Sequence, residues 1–227
     1  MASAILALLL QLGAALALQS LLGLGADYPF KAAGAFALTG VVAALLAQRR
    51  QPALPFGCAN QVTLARAALV ALLAAVVGES PSFALTWSVI AIALTALLLD
   101  GLDGRLARSR GTASAFGARF DMETDALLIL VLTVVAWRFD KAGAWIVLGG
   151  LLRYAFLAAG QGLSWLRRPL PYSRRRQTVC VVQIVSLLVC LAPFVPAPLS
   201  DGVALLGLIS LAASFAIDVV WLAKRRD

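Results

Sequence analysis

Four aspartates stand against long apolar runs in this chain, and few folds accept that arrangement. Asp100 and Asp103 lie at the end of the run WSVIAIALTALLLD, while Asp121 and Asp125 lead into ALLILVLTVVAW. A carboxylate at the centre of a membrane helix costs roughly 2.5–3.5 kcal/mol on insertion scales, and less towards the interface. Four together need an opposing charge. At ~100° per residue, Asp100, Asp103, Gly104, Ala107 and Arg108 fall within an arc of roughly 140° on one helix. Gly117, Asp121 and Asp125 recur at i, i+4 and i+8 and share one stripe of the next helix. The linker SRGTAS supplies Gly111 and an N-cap from Ser109, Thr112 or Ser114, which favours a tight antiparallel turn. The two stripes then bring four carboxylates about one point. Gly104, Ala107 and Gly117 leave room there for a ligand or a close helix crossing.

The donor types narrow the chemistry. Histidine is absent, and Cys58, Cys180 and Cys190 show no C-x2-C spacing. A Ser-His-Asp triad, a Cys-His dyad and a histidine zinc site are therefore excluded. So is phosphatidyl transfer through histidine nucleophiles. The cysteines read as small apolar residues. Carboxylate oxygens alone suit Mg²⁺ or Mn²⁺ rather than zinc, and two such ions can bridge a diphosphate and stabilise its leaving group.

The rest of the chain reads as membrane. With 62% hydrophobic and only 13% charged residues, a soluble core is the poorer fit and several spanning helices the better one. The net charge of +8 comes from basic residues gathered near helix ends, which points to anionic head groups and not to nucleic acid. An uncharged run over residues 2–24 and a second over 32–47 form an N-terminal hairpin over 1–50. The first is long for a signal peptide and lacks a basic leader. Prolines 52 and 55 break the chain. Core helices are then predicted over 60–77, 83–108, 113–137, 144–165, 177–194 and 203–223, with VPAPLSDG as a turn before the last. Arg49, Arg50, Arg105, Arg108, Arg167, Arg168, Arg174 to Arg176 and Lys224 to Arg226 fall on one side, which the positive-inside rule makes cytosolic. The aspartates share that side. No solenoid repeat and no soluble domain is evident.

The pattern Asp100-x2-Asp103-Gly104-x2-Ala107-Arg108-x8-Gly117-x3-Asp121-x3-Asp125 resembles, position for position, the signature of the CDP-alcohol phosphotransferases. The likeness extends upstream to Asn60-x2-Thr63-x2-Arg66 and, more weakly, downstream to Arg174-Arg175-Arg176-Gln177-Thr178 with Gln183, which is similar to phosphatidylglycerophosphate synthases. It implies an all-α integral membrane protein with a six-helix core over 55–227 behind the hairpin. It further implies transfer of a phosphatidyl group from CDP-diacylglycerol to a small polar alcohol, glycerol 3-phosphate first, with release of CMP. Asp100, Asp103 and Asp121 are then metal ligands, and Asp125 is the general base, also touching metal. Asn60, Thr63, Gly104, Ala107, Arg108 and Gly117 would face the nucleotide. The expected setting is a bacterial inner membrane, with the site towards the cytoplasm and a homodimeric assembly.

Other readings stand beside these. Asn60 and Thr63 also suit helix capping. Arg153, mid-span, and Arg174, Arg175 and Arg176 would form a pocket for an anionic acceptor, or else Arg153 pairs with a residue such as Asp218 and the triple arginine anchors at the interface. The Met122-Glu123-Thr124 insert is bulkier than the family pattern leads one to expect. Transfer from a CDP-alcohol to diacylglycerol uses the same chemistry. A cation-coupled transporter should show inverted halves, which the chain lacks. A non-catalytic lipid- or nucleotide-binding protein would tolerate loss of Asp125.

Overall fold

The computed structural model describes residues 2–48, 58–110 and 115–225, with side chains described over 5–42, 61–101 and 116–225. Among these the chain is all-helical: α1 (Ala2–Leu22), α2 (Tyr28–Gln48), α3 (Cys58–Ala75), α4 (Phe83–Arg110), α5 (Ala115–Arg138), α6 (Val147–Gly162), α7 (Arg174–Leu191) and α8 (Ala197–Ala223). Short 3₁₀ turns at Ala144–Ile146 and Ser164–Arg167 flank α6. Among the described residues, four segments are long and apolar enough to cross a bilayer: Ile5–Leu22, Phe83–Gly101, Ala144–Gly162 and Ala197–Ala223. Exposed Leu6, Leu10, Leu94, Leu98, Leu206 and Ile209 on three of them suit a lipid surround. The protein is an all-α membrane protein.

Two compact units divide it, Met1–Leu128 and Ile129–Asp227. In the first, α1 packs on α2 and α3, α2 on α3, and α3 on α4. Buried Phe36, Ala67, Ala71 and Phe120 form a core that Ala7, Leu64, Ala68 and Phe116 extend. Polar contacts fix the far end of the hairpin. Gly23 takes a positive φ of 64° just past α1, the left-handed conformation that commonly ends a helix. Glu79 accepts from the Gly25 amide at 3.0 Å and pairs with Lys31 at 3.4 Å, and Tyr28 donates to the Leu72 carbonyl at 3.1 Å. Lys31 also pairs with exposed Asp27 at 2.6 Å, and this hydrogen bond holds the Asp27 carboxyl below its ordinary value. Ser82 caps α4, accepting from the Leu85 amide at 3.1 Å.

In the second unit α7 lies along α8, and α6 also packs on α8. Lys141 closes the end of α7, donating to the carbonyls of Ala192 and Val195 at 2.9 and 3.1 Å, while Ser200 donates back to the Lys141 carbonyl at 2.5 Å. α6 meets α5 at Gly150. A Cβ there would stand 2.5 Å from the Leu130 Cα and 2.8 Å from Thr133 Oγ1. Gly150→Ala must push backbone from backbone, and it is expected to cost about 1–3 kcal/mol. Thermal unfolding in detergent checks this, and an unchanged midpoint would contradict the close crossing.

Three of the core helices depart most from the sequence expectation. α8 begins at Ala197, so most of the expected VPAPLSDG turn is helix. Pro198 falls in the first turn, where no intrahelical N–H bond is lost. α7 starts at Arg174 and ends at Leu191, three residues earlier than expected at both ends. The fourth core helix stops at Gly162, because Leu163 is extended. There Arg167 folds back to donate to the carbonyls of Gly160 and Gln161 at 2.5 and 3.0 Å.

Candidate active site

The first unit brings three of the four aspartates together. Asp100 sits late in α4, and Asp121 and Asp125 occupy successive turns of α5. One oxygen from each lies within 4.8 Å of the others. The helical period explains the pairing on α5, since residues four apart stack on one face. Asp103 lies on the last turns of α4 with Gly104, Ala107 and Arg108, and these side chains fall outside the described ones, as does that of Asn60 in the first turn of α3.

Between the carboxylates stands Arg66 of α3, 0% exposed. Its Nε donates to the Ala96 carbonyl at 3.1 Å, which fixes the guanidinium plane. Its Nη1 pairs with Asp100 at 2.9 Å and with Asp121, and its Nη2 pairs with Asp125. The planar fork suits this task, because two nitrogens address different helices at once. One positive charge faces three negative ones, so these four residues leave a deficit of two, which one divalent cation would fill. Arg105, Arg108 and Arg110, nearer to the aspartates in sequence, fall outside the described side chains. Arg66 was legible only as part of the Asn60-x2-Thr63-x2-Arg66 spacing.

The donor set fits a divalent ion. Two oxygens on opposite sides of one Mg²⁺ stand about 4.2 Å apart, given Mg–O of ~2.1 Å. A spread of up to 4.8 Å is slightly wider than that and lies within the reach of two ions. All three carboxylates are only partly buried, with side chains 22–36% exposed, so a polar reactant can approach them. Thr63 is buried on α3 at 3% exposure, and Gly117 is half-buried on α5.

The remaining sequence candidates lie in the second unit. Asp218 on α8 is 8% exposed, and it accepts from Arg175 at 2.5 Å and Arg176 at 3.5 Å. Arg175 also donates to the carbonyl and Oγ of Ser214 at 2.7 and 2.5 Å, and Arg176 to the Pro171 carbonyl. These two arginines thus join α7 to α8. Arg174 is exposed, and Arg153 is half-buried on α6.

Such a fold and site define an integral membrane protein with an oxygen-donor acidic centre ordered by a buried arginine. The model of the CDP-alcohol phosphatidyltransferase family matches residues 56–220. The chain belongs to that family. Searches of curated proteins and of solved structures find no match. Membership makes the protein a transferase of phospholipid biosynthesis, moving a phosphatidyl group from a CDP-alcohol in a membrane, in a family that depends on divalent metal.

Proposed function

We propose that the protein transfers the phosphatidyl group of CDP-diacylglycerol to a small polar alcohol, glycerol 3-phosphate first, and releases CMP. The observation that carries this is the convergence of Asp100, Asp121 and Asp125 from two helices. With Asp103 they would hold Mg²⁺ or Mn²⁺, two ions in the fullest form, which supply charge neutralisation of the diphosphate. Asp125 takes the proton of the acceptor hydroxyl as its oxygen attacks the lipid-side phosphorus. The bond from that phosphorus to the oxygen of CMP breaks, and CMP leaves with the electron pair. Arg66 orients Asp121 and Asp125 through its two terminal nitrogens. Asn60, Thr63, Gly104, Ala107, Arg108 and Gly117 line the nucleotide. The gathering of arginines near one set of helix ends supports a cytoplasmic site in an inner membrane, and the homodimer rests on the family likeness.

The anionic acceptor is favoured by basic residues. Arg174 is exposed in the first turn of α7, beside Arg175 and Arg176, and Arg153 is a further basic residue of that unit, on α6. Product identity tests the reading. The purified protein is supplied with CDP-diacylglycerol and, in turn, glycerol 3-phosphate, an inositol phosphate, serine and a lipid alcohol, and the lipid products are weighed by mass spectrometry. A new phosphatidyl product with glycerol 3-phosphate is expected. A product formed only from a CDP-alcohol and diacylglycerol would reverse the partition of donor and acceptor.

A further inference from the structure

An open-sided cavity of about 540 Å³ lies between α1, α3 and α4, with exposed Leu6 and Leu10 on its rim, within the usual range for a ligand site. Its wall is apolar except for Gln11, Gln61 and Thr95. Gln11 is the anomaly. It sits in an otherwise apolar stretch of α1, is only 3% exposed, and neither its Nε2 nor its Oε1 has a hydrogen-bond partner. A buried amide without partners costs about 1–3 kcal/mol for each group left unmet, and an orphaned N–H donor is the rarer of the two. Neither atom faces open space in this conformation, so a turn of the Gln11 side chain is what brings the amide to a guest in the cavity.

Position tells what that is. The cavity runs along α3 from Gln61 to Leu72, about 16 Å at 1.5 Å per residue. Its lining also includes Ala65 and Leu99, the residues before Arg66 and Asp100, which sets it next to the carboxylate–arginine cluster along α3 and α4. Ala7 packs against the core containing Ala67 and Ala71, and Gln11 lies one helical turn deeper along α1. A chain entering from the cluster therefore meets an amide donor below the polar centre and hydrocarbon walls beyond it.

We infer that this cavity receives one acyl chain of the lipid reactant, with its ester carbonyl accepting from Gln11 Nε2. The N-terminal hairpin thereby becomes part of the reactant site. The inference rests on the lipid-donor reading of the acidic cluster.

The test uses the full chain in nanodiscs and CDP-diacylglycerol with a diazirine in one acyl chain. After photolysis, the label is expected on α1, α3 and α4 peptides around Gln11, Leu69 and Thr95. Ala14→Trp, which fills the cavity from α1, should lower that labelling at least fivefold, and Gln11→Leu should raise the KM for the donor about three- to tenfold. The wild-type label map decides the matter even where a variant does not fold. Labelling on other helices while CMP is released overturns the inference and leaves the enzymatic reading intact. So does equal labelling by a diazirine phosphatidylcholine, which marks a site for bulk lipid. Absence of both CMP release and donor binding overturns the two together.

Discussion

Asp125→Asn is expected to lower acceptor-dependent CMP release by about 10²–10⁴-fold, the range typical of a lost general base. The amide keeps an oxygen that can accept from Arg66, so the contact that now holds Asp125 survives in weaker form. It cannot take the acceptor's proton. The variant should therefore stay folded and still bind CDP-linked donor with Mg²⁺, while turnover collapses. Titrating Mg²⁺ separates two roles. If Asp125 only ligated metal, high Mg²⁺ would restore the rate. If it is the base, the loss persists at saturating metal.

Arg66→Ala should have the largest effect on stability. Arg66 is fully buried among Asp100, Asp121 and Asp125, and its removal leaves three acids facing one another. Breaking a buried charge pair from one side costs about 3–5 kcal/mol, because the stranded partner keeps its desolvation penalty. These carboxylates are partly exposed, which places the expectation at the lower end of that range. Arg66→Lys keeps the charge but not the fork, so it cannot reach Asp121 and Asp125 through separate nitrogens while also bonding Ala96. An intermediate loss is expected. Mg²⁺ should stabilise Arg66→Ala more than it stabilises the wild type, since cation and guanidinium neutralise the same cluster. Thermal melts with and without Mg²⁺ check both statements. Equal melting of Arg66→Ala and wild type would contradict the clamp.

Much of this site could be read before the fold was known, for a simple reason. Asp121 and Asp125 stand four apart on α5, so their shared face follows from spacing alone, whereas Asp100 joins them from α4 through the packing of two helices that are neighbours in sequence. Arg66 follows from neither. It comes from α3, 34 residues before Asp100 and 55 before Asp121, and its choice as counter-ion over nearer arginines is a matter of tertiary packing. The same holds for Asp218, whose partners Arg175 and Arg176 lie on another helix. The eight-helix order followed from the apolar runs, but helix ends were harder. Pro198 looks like a turn signal and is instead a first-turn residue, while α6 ends at Gly162 with Leu163 extended, well before the nearest proline, Pro169. Gln11 is silent in sequence. One amide in an apolar run gains meaning only when packing buries it without a partner beside the cavity that α1, α3 and α4 line.

The account turns on whether this acidic cluster breaks a CDP-linked diphosphate. The most direct measurement is CMP release by the purified wild-type protein from CDP-diacylglycerol and glycerol 3-phosphate, before and after chelation of divalent metal. The account predicts CMP release that needs both the acceptor and the metal, stops on chelation and returns when Mg²⁺ or Mn²⁺ is restored. No CMP from any CDP-linked donor under those conditions, with the protein folded, would contradict it.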